Sequence, residues 1–213
     1  MATKVYDAII IGAGSVGLPA AFFLARAGLK PLVLDQFASP GQGSNKAAIG
    51  GIRATHSTPA KIRLCLDSIR IFSTWQETYG DDIDWYRGGY SFVAYREQEE
   101  RTFKDLLKVQ HAYGLNIRWL DRDDLLEVIP GLNPEGLRGG TFAPDDGSAS
   151  PLKSALAFYS RAREAGAEFH FRERVTGVIR RHGRVVGVRT DRGGYATQTV
   201  INAAGPWARA AAQ

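Results

Sequence analysis

Gly12-Ala13-Gly14-Ser15-Val16-Gly17 is a G-x-G-x-x-G turn, and the chemistry it suits is the cradling of a pyrophosphate. The first glycine makes the turn, the second lets the backbone approach phosphate oxygens, and the third lets a helix pack closely on a strand. The setting matters more than the motif, which is weak alone. An apolar run, Val5–Ile11, precedes it, a helix over Ser15–Ala27 follows, and Asp35 closes the next apolar run 18 residues past Gly17. An acid at that place accepts from ribose hydroxyls, with Gln36 beside it. The helix start offers amide donors and a partial positive charge to the phosphates. This layout predicts dinucleotide binding at Gly12, Gly14, Ser15, Val16, Gly17, Asp35 and Gln36. A ligand-free glycine turn would explain the glycines but not the acid.

FAD and NAD share this signature. In a simple doubly wound nicotinamide dehydrogenase, further strand–helix pairs should follow the second strand. Here that strand leads instead into Gly41–Arg53, rich in Gly and Ser, and a β-meander occupies the late chain. An extended loop of this kind can lie along a large planar ring, which suits a flavin. Arg53 is either a surface cation or a charge facing that ring, where it would stabilise a reduced, anionic form. Lys46 stands between the same two readings. His56 is a general base, a flavin neighbour or part of the cap region of the next helix. No carboxylate partner is identifiable near it, which favours the cap region. Asp145-Asp146, before Gly147-Ser148, has turn chemistry. Cys65 falls on the apolar stripe of a helix as a core residue, and Trp75, Trp85 and Trp119 are packing residues.

The elements that must position these residues can be read from periodicity. Val5–Ile11, Ser15–Ala27 with Gly28 as its stop, and Pro31–Leu34 make a βαβ unit. Pro19 is a blemish in the helix unless it falls in the first turn or so. Ser39–Arg53 is a long loop of the functional kind. Thr58-Pro59 opens a long amphipathic helix over Pro59–Tyr79. After Gly80 the character changes. Ile83–Arg87 and Tyr90–Tyr95 read as a hairpin around Gly88-Gly89, Gln98–Tyr113 as a helix, Ile117–Leu120 as a strand and Arg122–Val128 as a short helix. Leu137–Ala143 reads as a strand, and Ser150-Pro151 opens a helix to about Ala165. Glu168–Arg172, Val175–Arg181, Val185–Thr190 and Tyr195–Asn202 read as strands, with tight turns at His182-Gly183 and Arg192–Gly194.

Composition excludes several classes. The 213 residues are 44% hydrophobic and 23% charged, too apolar for a disordered chain, and one cysteine excludes a disulfide scaffold. No Cys/His cluster has zinc-ligand spacing. The net charge is +5. The clusters Arg161–Arg163, Arg172–Arg174 and Arg180–Arg184 read as solvated faces rather than a nucleic-acid patch. Ala8–Ala25 is an uncharged run of 18 residues. Asp7 and Arg26 flank it and Gly12, Gly14, Gly17 and Pro19 interrupt it, so it divides into strand, turn and helix rather than a membrane span or signal peptide. A cytoplasmic protein is expected.

The glycine motif, the Gly-Ser loop running into Gly50-Gly51-Ile52-Arg53, the phrase from Asp146-Gly147 to Pro151, and the closing Val200-Ile201-Asn202-Ala203-Ala204-Gly205-Pro206-Trp207-Ala208 form an ordered set. As a set they resemble the D-amino-acid-oxidase superfamily of FAD enzymes, nearest to proteins like the sarcosine oxidase β-subunit. The resemblance spans essentially the whole chain. It implies an α/β fold: a Rossmann-like FAD-binding domain of the glutathione-reductase type, built from residues 1–80 and 150–213. An inserted, incomplete α+β substrate domain would occupy 81–149. It implies FAD as cofactor, contacted by Ala203, Ala204, Gly205 and Trp207 at the last turn. Val175 would offer its backbone to the adenine, while Ser44, Asn45 and Lys46 with Gly51, Ile52 and Arg53 would line the flavin. Arg53, Lys46 and His56 are the implied catalytic side chains. The implied activity is oxidation of the C–N bond of a small amino acid or N-methylated amine, a hydride passing to the flavin and water hydrolysing the imine. An NAD(P)-linked dehydrogenase and a non-catalytic FAD-binding fragment or subunit are the alternatives. Family members are longer, so the chain reads as an amino-terminal half whose partner would be a missing carboxy-terminal segment or subunit. Tyr90–Tyr95 and Leu137–Ala143 would then lack strand neighbours.

Overall fold

The computed structural model describes residues 5–211. In chain order the elements are β1 (Ala8–Ile11), α1 (Gly17–Arg26), β2 (Pro31–Asp35), β3 (Gly51–Ile52), α2 (Pro59–Ser73), α3 (Trp75–Tyr79), β4 (Tyr90–Ala94), α4 (Glu97–Ala112), β5 (Arg118–Asp121) and α5 (Arg122–Val128). There follow β6 (Gly139–Ala143), β7 (Gly147–Ser148), α6 (Pro151–Glu164), β8 (Glu168–Phe171), β9 (Val175–Arg181), β10 (Arg184–Thr190), β11 (Gly194–Ala196), β12 (Val200–Asn202) and α7 (Ala208–Ala211). Ala212 and Gln213 lie outside the described residues.

The chain divides into two compact units, one running up to Ile49 and resuming at Pro151, the other Gly50–Ser150. The expected changeover after residue 80 falls instead at Gly50. The reason is packing: Ile62 and Ile69 of α2 join Leu115, Ile117 and Ala143 in one buried cluster, so α2 belongs to the second unit's core.

The first unit has three layers. A parallel sheet in the order β12-β1-β2-β8 is the middle one. Its central strands β1 and β2 are apolar, buried runs because both faces are covered. Ile9, Leu32 and Leu34 pack against Val188, Val175 and Tyr195 of the antiparallel β11-β10-β9 meander. On the helical side Phe22 of α1 meets Phe158 of α6 edge-on at 5.7 Å. Pro19 is the third residue of α1, inside the first turn, where a missing N–H costs nothing. The segment Tyr195–Asn202 forms two strands rather than one. Thr197 is buried and its hydroxyl accepts from the Thr199 amide at 3.1 Å, a local turn that ends β11 in the meander and starts β12 in the parallel sheet.

In the second unit the antiparallel order is β4-β6-β5, with β3-β7 as a separate pair. Several expectations fail here. The Ile83–Arg87/Tyr90–Tyr95 hairpin does not form: Asp84 has φ 55°, Tyr86 pairs with Ser148, and β4 pairs with β6. Leu137–Ala143 does not lack neighbours either, because β6 is the central strand. The long helix Pro59–Tyr79 breaks at Thr74, where the hydroxyls of Ser73 and Thr74 donate to the Arg70 carbonyl oxygen and compete with the helical ladder. Thr58 stands at the N-cap of α2 without a side-chain cap bond, so that start relies on Pro59.

Candidate nucleotide-cofactor site

The carboxyl ends of the four parallel strands converge on one cleft of about 810 Å³, within the range of about 300–1,000 Å³ usual for small-molecule sites. Ligands of open α/β sheets bind at this edge, and the lining follows from the topology. The ends of β1 and β2 bring Gly12, Gly14, Ser15, Val16, Asp35, Gln36 and Phe37. The end of β8 brings Glu173, Arg174, Val175 and Thr176, and that of β12 brings Asn202 through Trp207.

The glycine turn is built to close tolerances. Gly12 has φ +105°, and a Cβ there would lie 2.5 Å from the Ala203 carbonyl oxygen. A Cβ at Gly17 would fall on the Gly12 carbonyl oxygen, so this glycine lets α1 start against the end of β1. At Gly14, by contrast, a Cβ would meet nothing within 4 Å. That open space on the cleft wall, next to the start of α1, is what an approaching phosphate needs, and it fits the pyrophosphate of FAD.

Asp35 holds the turn as well as facing the cleft. Its Oδ2 accepts from the Ala13 amide at 2.6 Å and its Oδ1 from the Phe37 amide at 2.7 Å. Each oxygen keeps a second lone pair for a ribose hydroxyl. Asp35→Ala is expected to weaken FAD binding by about 1–3 kcal/mol and also to lower the melting temperature. Flavin fluorescence titration checks this, and an unchanged dissociation constant would remove Asp35 from the site.

The turn after β12 is set by Asn202. Its Oδ1 accepts from the Ala204 amide at 3.3 Å and its Nδ2 donates to the Ala208 carbonyl at 2.7 Å, while Ala203 N–H binds the Ile11 carbonyl at 2.9 Å. Trp207 is 45% exposed and stands edge-on to Phe37 at 5.7 Å. Ser44 and Asn45 also line the cleft, the latter anchored by its Nδ2 to the Pro151 carbonyl at 2.9 Å.

Sequence reasoning missed Glu173. It is 3% exposed, its Oε1 accepts from Thr190 Oγ1 at 2.7 Å, and its Oε2 lies 3.2 Å from His170 Nδ1. Tyr195 shares this cluster: burial, then its hydrogen bond to Glu173, pushes its phenol up to about 12. Arg172, at φ 56°, turns the chain out of β8 so that the Glu173 amide donates to the Asp35 carbonyl at 2.9 Å. The usable signal was positional: an acid just past a strand that the topology lays beside β2.

Other expected site residues lie elsewhere. Lys46 is exposed and does not line the cleft. Gly51, Ile52, Arg53 and His56 belong to the second unit. There the Arg53 guanidinium lies over the rings of Tyr90 and Phe92, 5.2 and 5.1 Å from their centroids, and its Nη1 donates to the Thr55 carbonyl at 2.8 Å. Burial, then the charges of Arg53 and Lys61, hold the His56 imidazole below its ordinary pKa. The His56 carbonyl accepts from Gln110 Nε2 at 3.1 Å. Asp145 is the solvent-side turn residue expected, paired with Arg87 and accepting from Asn116 Nδ2 at 2.9 Å. Asp146 is more than that. It is fully buried, its Oδ1 accepting from the Ala54 amide at 3.1 Å and its Oδ2 from Thr55 Oγ1 at 3.0 Å.

A family model described as FAD dependent oxidoreductase (DAO) matches residues 7–213. Human mitochondrial dimethylglycine dehydrogenase is 27% identical over 203 residues, which is 95% of this chain and 23% of that protein. Among solved structures, L-proline dehydrogenase from P. horikoshii matches with a TM-score of 0.92 at 28% identity, over 98% of this chain and 55% of that one. Glycine oxidase from Geobacillus kaustophilus matches with a TM-score of 0.84 at 26% identity, over 98% and 57%. The chain thus spans under a quarter of the first relative's length and just over half that of the other two. The glycine turn, the acid at the end of β2 and the Asn-Ala-Ala-Gly turn border one cleft, and the chain belongs to the DAO family of FAD-dependent oxidoreductases.

Proposed function

We propose that this chain binds FAD in the first unit's cleft and serves the oxidation of the C–N bond of a small amino acid or N-methylated amine. The observation that carries the reading is the open wall at Gly14 between the start of α1 and the Asp35 carboxylate. It joins a phosphate site to a ribose site in the order a dinucleotide requires. Bound FAD supplies the two-electron oxidation, and the protein supplies binding, orientation and charge. The α1 amides and the Gly14 backbone hold the pyrophosphate, Asp35 holds the ribose, and the Val175 backbone holds the adenine. Relatives named as acting on dimethylglycine, proline and glycine support a small amine or amino acid as substrate.

A second reading has its own support. The chain covers only part of each relative, so FAD binding can reside here while substrate oxidation needs further polypeptide. One experiment separates the two: anaerobic addition of sarcosine, proline or glycine to the FAD-loaded chain. Loss of the visible flavin absorbance supports the catalytic reading. A stable yellow complex that no amine bleaches supports the second, and a chain that takes up no FAD sinks both.

A further inference from the structure

Glu173 is a buried carboxylate that borders the cleft, and it stands where two strands lose step. β9 and β10 pair Val175 with Thr190 but Gly177 with Arg189. Thr176 is thus an extra residue, a β-bulge at the rim of the cleft, and a bulge leaves backbone groups out of the ladder. Val175 and Thr176 both line the cleft, so the groups that the bulge frees lie along its wall. A backbone N–H or C=O without a strand partner needs another one, a ligand or water.

The segment that carries the bulge is tied on both sides. Toward β2, the Arg172 and Glu173 amides donate to the Phe37 and Asp35 carbonyls at 2.8 and 2.9 Å. Toward the meander, the Arg174 amide donates to Asp191 Oδ1 and the Arg174 carbonyl accepts from the Asp191 amide, both at 3.0 Å. Between these ties stands the Glu173 side chain. Thr190 of β10 donates to it, the raised Tyr195 phenol of β11 stays protonated and donates to it, and His170 of β8 lies beside it. An acceptor-only carboxylate serves every donor here, whereas an amide would turn its own N–H₂ toward one of them. Burying that charge is costly, so its place next to the bulge calls for a reason.

We propose that Glu173 is a positioning residue for the adenine end of FAD: it holds the Val175–Thr176 bulge in register with Asp35, and so sets a preference for adenine over guanine. This inference rests on the reading above that the Val175 backbone holds the adenine. One backbone N–H and one C=O match adenine, which accepts at its ring N1 and donates from its amino group. They mismatch guanine, whose ring N1–H donates and whose carbonyl accepts. The discrimination lasts only while donor and acceptor are held still, because a mobile bulge turns to suit either base.

The test uses the FAD-loaded 213-residue chain, with ADP and GDP as competitors and flavin fluorescence reporting release. ADP should displace FAD from the wild type at a concentration about tenfold to a hundredfold below that of GDP. Glu173→Gln should weaken ADP about tenfold, the worth of about one buried hydrogen bond, and leave GDP unchanged, so that the ratio collapses. Thr190→Val should lower the ratio too, while Thr190→Ser, which keeps the hydroxyl, should hold it. Should Glu173→Gln fail to fold, the Thr190 pair decides. Equal losses of ADP and GDP, the mark of a merely structural role, overturn the inference alone, and so does a ratio that these variants leave unchanged. A wild type that ADP and GDP displace alike, or a chain that takes up no FAD, overturns the adenine reading and the inference with it.

Discussion

Gly14→Val is expected to abolish FAD binding and leave the fold intact. Nothing lies within 4 Å of a Cβ at this position, and Gly14 is not among the residues with positive φ, so neither packing nor backbone opposes the change. The isopropyl group instead fills the space through which phosphate oxygens reach the amides at the start of α1. Losing two charge-assisted hydrogen bonds at about 1.5–3 kcal/mol each weakens binding more than a hundredfold. Circular dichroism and thermal melting on the sample used for flavin titration decide the matter. A variant that folds and still binds FAD tightly would show that the pyrophosphate does not lie on this turn.

Much of the cleft's lining is legible in the sequence, for a physical reason. The βαβ unit is local: Gly12, Gly17 and Asp35 are fixed by one strand, one turn and one helix, and the apolar run of a doubly covered strand is a strong signal. The turn at Ala203–Gly205 was reached through resemblance, and the fold explains it, since β12 lies beside β1. Two failures are local, the break of the long helix at Thr74 and the Thr197 turn between β11 and β12, where side-chain hydroxyls compete for backbone bonds; the others are non-local. Ile83–Arg87 carries a strand's composition, but its partner is Ser148, more than sixty residues away, and no hairpin signal reports that. Asp146 looked like half of a turn pair. Its burial depends on donors from Ala54 and Thr55, which only the β3–β7 pairing brings to it. Glu173 was hidden because its partners Thr190, His170 and Tyr195 come from three different strands.

Gly17→Val should have the opposite phenotype from Gly14→Val, although the two positions are three residues apart. Its Cβ would overlap the Gly12 carbonyl oxygen, lie 3.0 Å from the Gly12 carbonyl carbon and press on Ile10 Cγ2 at 3.3 Å. Two of these are backbone atoms. Gly12 cannot retreat, because on its other side stands the Ala203 carbonyl, itself tied to β1 through the Ala203 amide and the Ile11 carbonyl. The end of β1, the start of α1 and the turn after β12 therefore meet with no slack, and a bulky group here must push the helix off the sheet. Overpacking against backbone at such a place is expected to cost about 3 kcal/mol or more. For a chain of this size that lowers the melting temperature by about 6–12 °C. FAD affinity would fall too, but as a consequence of lost folding, so Gly17→Ala, with a smaller side chain, should lose stability and binding in proportion. The decisive comparison is denaturant unfolding of the FAD-free proteins: Gly14→Val should unfold with the wild type, Gly17→Val well before it. Wild-type stability in Gly17→Val would mean that α1 does not begin against the end of β1.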